Sequence, residues 1–212
     1  MIISKKYGFA FIHIPKNAGT HFQQLFMNYD DSETRGRKRL AGSHFTLREL
    51  QGLHPEAPDD FEDSESYALL REPVARFYSC FIQRLSEFRP SFFLWPIQKR
   101  KIEAELRLVL SKLEADCFEN DMVHFKHQRD FVFLEDKQVV KNLWTVESFQ
   151  DMVHFIELSH EVSANNHSAK TNRKLETPPN FRLSHKNGPV GLIARQSPRL
   201  VKIAYSRFLI TR

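Results

Sequence analysis

The chain of 212 residues holds only two cysteines, Cys80 and Cys117, which stand 37 positions apart with no CxxC pair. That scarcity excludes a disulfide-built scaffold and a cysteine-built zinc site. It leaves room for one bridge at most and suits a reducing compartment. No apolar run approaches the roughly 20 residues of a membrane-spanning helix. The opening segment, MIISKKYGFAFIHIP, makes a poor secretory signal, because its apolar stretch is short, contains His13 and meets no small-residue cleavage site. Internal repeats, low-complexity linkers and zinc-finger spacings are missing too. So is the Walker A pattern GxxxxGK[ST]. These absences predict a soluble intracellular protein with no integral membrane segment and no metal, and the length of 212 residues predicts one domain over 1–212.

What is present describes a packed globule. The apolar fraction is 41%, and 19 phenylalanines supply core material. The formal charge of +5 favours anionic partners only weakly. The basic residues are dispersed, and the aromatics fall on apolar faces rather than among basic runs, which argues against a nucleic acid partner.

Along the chain, Phe9 to Ile14 reads as a buried strand. From Thr20 the spacing of Phe22, Leu25, Phe26 and Tyr29 predicts a helix. Residues 30–42 are polar and predict a loop, 45–53 a short helix, and the proline- and acid-rich stretch to Ser66 a second loop. Tyr67 to Leu70 predicts another buried strand and Val74 to Leu85 the helix after it, with Pro73 in its first turn. Ile102, Leu106, Val109, Leu110 and Leu113 trace an amphipathic helix within 97–114. FVFL (131–134) and the paired valines 139–140 are strand-like, Val146 to Leu158 is helical, 163–189 is a long polar loop or lid, and PRLVKIAYSRFL closes the chain as a helix. Strands alternating with helices predict an α/β fold with a mainly parallel sheet.

Two strand-to-helix turns carry the chemistry. In FIHIPKNAGTHFQQLF (9–24) a lysine, a glycine and a threonine sit between strand and helix. Such a turn is an anion site: first-turn N–H groups lack intrahelical partners, the helix dipole adds positive charge, and Lys16 brings a full one. Gly19 permits close backbone approach and Thr20 offers a hydroxyl. The second turn, in ALLREPVARFYSCF (68–81), places Arg71 at a strand's carboxyl end, where open α/β sheets bind ligands, with Arg76 and Ser79 following. Arg76 has two readings, a phosphate ligand or a salt bridge to Glu72.

Together the turns resemble a known family. HIPKNAGT is similar to the 5′-phosphosulfate loop of sulfotransferases that use 3′-phosphoadenosine 5′-phosphosulfate (PAPS). LREPVARFYS is similar to their 3′-phosphate segment, in which an arginine and a serine eight positions later hold that phosphate, the spacing of Arg71 and Ser79. HFKHQRDFVF (124–133) resembles the H-x-x-P-Q block of the Golgi carbohydrate branch and its bacterial relatives. VESFQDMVHFIEL followed by NNHS resembles that branch's late helix and loop. Asn17 stands where that loop usually has threonine, His21 where a second hydroxyl is common, and His127 where the middle block has proline.

The resemblance implies a P-loop-like, three-layer α/β fold with a central, mainly parallel sheet, and it favours a cytoplasmic form. It implies sulfuryl transfer from PAPS to a hydroxyl, that of a carbohydrate or glycolipid acceptor. It also implies that Lys16, Asn17, Ala18, Gly19, Thr20 and His21 surround the 5′-phosphate, that Arg71 and Ser79 hold the 3′-phosphate, and that Lys16 neutralises the leaving phosphate. For the general base it points to His44, in GSHFTLREL; the residue alternatively caps a helix or sits half-buried. His13 is read as structural, and His154 and His160 as ordinary surface or core residues. Two other functions remain open on residues alone: a P-loop nucleotide kinase, and a non-catalytic basic module binding nucleic acid or nucleotide.

Overall fold

A computed structural model of the chain describes residues 1–31, 44–55, 57–87, 95–118 and 120–165. The loop expected at 30–42, the lid expected at 163–189 and the closing helix lie largely or wholly outside them. The described residues fall into two compact units, 1–71 with the described residues from 127 onward, and those between 72 and 126.

The first unit holds a four-stranded sheet. Its strands are β1 (Ile2–Ser4), β2 (Phe9–Ile12), β3 (Glu65–Leu70) and β6 (Asn142–Thr145), in the spatial order β1-β2-β3-β6. β2–β3 and β3–β6 pair in parallel and only the edge strand β1 is antiparallel. A small hairpin of β4 (Phe133–Leu134) and β5 (Lys137–Gln138) stands apart. Side chains alternate across a strand, so Phe9, Phe11, Tyr67 and Leu69 share one face. They form a core with Phe22 and Phe26 of α1 (Gly19–Phe26) and with Phe149, Met152, Val153 and Ile156 of the helix Phe149–His160. Phe11 stacks on Phe22 with ring centroids 3.8 Å apart. Each such buried side chain contributes about 1.5–3 kcal/mol.

Two short helices precede β3. α2 (Leu47–Leu53) opens with a capping box: Glu49 N–H donates to Thr46 Oγ1, and Thr46 N–H donates to the Glu49 carboxylate. Thr46, not His44, is therefore the cap. α3 (Ala57–Asp63) lies against β2 and β3, where the sequence predicted a loop. Pro58 fits its first turn, and Asp59 and Asp60 suit the dipole's positive end.

In the second unit, α4 (Pro73–Glu87) and α5 (Trp95–Glu114) bury Phe77, Cys80, Phe81, Ile102, Leu106, Val109, Leu110 and Leu113, with Met122 and Phe125 of a 3-10 turn closing the cluster.

In the first unit, two expected strands move. FVFL divides into a helical turn, α6 (Arg129–Val132), and the hairpin strand β4, because Phe131 and Val132 are buried through the turn. Val139 and Val140 are also buried, yet the ladder begins two residues later, at Asn142. β6 is a half-exposed strand and carries a weaker apolar signal than the buried valines before it. α7 (Phe149–His160) follows it. Its His160 packs against the core as an ordinary core residue: Nδ1 donates to the Tyr7 carbonyl at 2.9 Å, so Nε2 accepts from the Tyr67 hydroxyl at 2.9 Å. Burial, reinforced by the nearby Glu65 carboxylate, pushes the Tyr67 hydroxyl up to about 12.

Candidate functional site

The turn after β2 has an unusual backbone. Lys16 and Ala18 are left-handed, at φ 67° and 61°, with Asn17 between them at negative φ. Non-glycine residues in that region cost of order 1 kcal/mol or more each and persist where the surroundings enforce them. Alternating handedness also turns successive N–H groups toward one concavity, which favours an anion. No side chain caps the N-terminus of α1, and its first turn contains no acid.

Gly19, the first residue of α1, is buried. A Cβ there would stand 2.0 Å from His13 Cδ2. The glycine therefore makes room for an imidazole as well as for any ligand. His13 is itself buried, and its ring meets that of His44 edge-on, centroids 4.7 Å apart. The structure thus joins the candidate base to the lysine turn through a histidine that the sequence marked as structural.

The turn after β3 is tied to the first. Asn17, fully buried, donates from Nδ2 to the Leu69 carbonyl at 2.7 Å and to Gln128 Oε1 at 2.6 Å. Arg71 Nη1 donates to the Lys16 carbonyl at 3.2 Å. Gln128 Oε1 also accepts from Arg71 N–H at 3.0 Å, and its Nε2 donates to the Arg71 carbonyl at 2.9 Å. The Arg71 guanidinium is thereby held against the Lys16 backbone, and both residues are half-buried.

The other expected residues differ in placement. Asn17 turns its side chain inward, to the strand and to Gln128. Thr20 is exposed on the first turn of α1. His21 is also exposed, with its ring 5.0 Å from that of Phe149. Ser79 is half-buried on α4, in the second unit. Arg76, in the same unit, is fully buried and donates to the carbonyls of Lys126 and His124, both at 2.9 Å. Glu72 spends its carboxylate on Val74 and Ala75 N–H. Arg76 is thus a brace inside its unit rather than an exposed phosphate ligand. Among the described residues no group of three or more His, Cys, Asp or Glu could hold a metal ion. No described helix is long and apolar enough to cross a membrane.

Sequence reasoning marked His13 as structural but did not foresee its contacts, nor those of Gln128. The signal for Gln128 was its place in the 124–133 block; for His13 there was only its proximity to Lys16.

A mainly parallel sheet carries a lysine turn and an arginine turn at the carboxyl ends of adjacent strands, where open α/β sheets bind ligands. The profile of the sulfotransferase family matches residues 1–177, and the chain belongs to that family. No curated protein and no solved structure gives a match. Membership makes sulfuryl transfer the general activity. Family members generally take the group from PAPS and deliver it to a hydroxyl.

Proposed function

We propose that the chain transfers a sulfuryl group from PAPS to a hydroxyl of a carbohydrate or glycolipid, acting as one sulfotransferase domain in the cytoplasm. The observation that carries this reading is the pair of bonded turns, one carrying Lys16 just before an uncapped helix N-terminus and the other a half-buried Arg71.

In this reading the acceptor oxygen attacks sulfur as the bond from sulfur to the phosphate oxygen breaks. The SO3 group changes partner, the acceptor proton passes to His44, and 3′-phosphoadenosine 5′-phosphate (PAP) leaves. As in phosphoryl transfer, the protein's part is positioning and charge stabilisation. Lys16 stabilises charge growing on the leaving phosphate, and the 16–20 backbone with Thr20 holds that phosphate. Arg71 and Ser79 take the 3′-phosphate, where the guanidinium offers a bidentate grip. His44 stands in ring contact with His13, the ring that lies against Gly19. A base in that role contributes about 10²–10⁴-fold.

The test is transfer of labelled sulfate from PAPS to a panel of glycans and glycolipids, with Lys16→Ala and His44→Ala alongside. Acceptor-dependent PAP release that both variants abolish supports the reading. Release that neither variant alters contradicts the assigned roles.

A further inference from the structure

Gln128 begins α6, yet its side chain makes no cap for that helix. It is 2% exposed and turns instead to Arg71, pairing with both the N–H and the carbonyl of that residue as a neighbouring strand would. β3 ends at Leu70, so this amide extends the ladder by one residue just where the arginine must stand. The same Oε1 accepts from Asn17 Nδ2. Asn17 continues to the Leu69 carbonyl, the residue just past the last β2–β3 pair, Ile12 with Ala68. Its own Oδ1 is buried with no hydrogen-bond partner among the described residues. Leaving an acceptor unmade is unfavourable, so what this buried amide contributes is its two donor bonds.

We infer that Gln128 is a positioning residue that, through Asn17, sets the spacing between the lysine turn and Arg71, and so selects ligands carrying two anionic groups at one fixed separation. The selection half of this inference rests on the sulfotransferase reading; the mechanical half does not. Neither amide needs to touch the ligand. Losing the Gln128 amide takes this partner from both the N–H and the carbonyl of Arg71, and losing Asn17 removes the bond from Gln128 to the lysine turn, so either loss loosens the link.

The experiment has two readouts on wild type, Gln128→Leu, Asn17→Ala and the double variant, with Gln128→Glu as the milder substitution if leucine prevents folding. Amide exchange in the ligand-free protein reports the link. Asn17→Ala should raise exchange at the Arg71 amide, which it does not itself bond, and the double variant should add little to the worse single one. The ratio of PAP to ADP affinity reports selection, and Gln128→Leu should lower it at least about tenfold. Unchanged Arg71 exchange in Asn17→Ala would overturn the inference. So would variants that melt earlier yet keep the wild-type ratio, since that marks a purely structural role. A wild-type chain with no preference for PAP would sink the nucleotide reading and with it the selection half, leaving the link to be decided by Arg71 exchange alone.

Discussion

The chain makes the same strand–turn–helix move twice, and the two turns solve it differently. After β2 the backbone itself is the feature: two left-handed non-glycine residues, a helix N-terminus without a side-chain cap, and no acid in the first turn. After β3 the N-terminus of α4 is already served by Glu72, whose carboxylate accepts from Val74 N–H at 3.0 Å and Ala75 N–H at 2.6 Å. One turn can cradle an anion with main-chain N–H groups; the other has a protein carboxylate where that anion would sit. The second turn is left with side chains, chiefly the Arg71 guanidinium. A ligand spanning both would meet main-chain donors and Lys16 at one phosphate and a planar cation at the other.

Substitutions that erase this difference should have graded effects. The largest belongs to Lys16→Ala. Removing a donor aimed at developing charge lowers kcat by roughly 10²–10³-fold, with PAP affinity far less affected. Steady-state assays that showed equal losses in kcat and in PAP affinity would make Lys16 an ordinary binding residue.

Next comes Arg71→Ala. A charge-assisted hydrogen bond is worth about 1.5–3 kcal/mol, so PAP binding should weaken roughly 10–150-fold while ADP, which lacks the 3′-phosphate, changes little. Equal weakening of both nucleotides in calorimetry would erase the division of labour between the turns.

Gly19→Ala should destabilise by about 1–3 kcal/mol, the usual range for overpacking, because its methyl would collide with the His13 ring. Combining it with His13→Ala should return part of the loss in a denaturant titration. If the double variant is no better than Gly19→Ala alone, the ring is not the obstacle.

Glu72→Ala should lower stability by about 0.5–2 kcal/mol through loss of the cap. It should leave kcat nearly intact, since the carboxylate serves α4 alone. A large kcat loss at an unchanged Tm would place Glu72 in the chemistry.

The last prediction concerns alkaline pH and leaves neutral pH untouched. The Tyr67 hydroxyl ionises near 10 in the unfolded chain and at about 12 when folded. The protonated phenol is the form that the fold favours, so its contribution is complete below pH 10 and is lost as pH rises from 10 toward 12. Thermal melts should show a steeper alkaline decline in wild type than in Tyr67→Phe. Parallel declines would remove Tyr67 from the account.

The sequence made the family and the lysine turn legible because their information is local. A strand, PKNAGT and an amphipathic helix lie within sixteen residues of each other (9–24). α1, β3, α4 and α5 were legible through apolar periodicity. Long-range pairing was not legible. Nothing near Asn17 says that its amide will meet Leu69 and Gln128, 52 and 111 positions away. His13 looked structural because a buried strand end is a poor place for chemistry, and only the fold sets its ring against Gly19 and His44. α3 was hidden by composition, although Pro58, Asp59 and Asp60 carried a valid helix-start signal. β6 was displaced because Val139 and Val140 are more apolar than the strand that they precede.

The most direct test of the central claim is calorimetric binding of PAP beside ADP and ATP, with and without Mg²⁺, to wild type and Arg71→Ala. The account predicts metal-independent binding that prefers PAP, with the preference lost in the variant. Equal or tighter Mg²⁺-dependent binding of ATP, or no binding of any of the three, would contradict it.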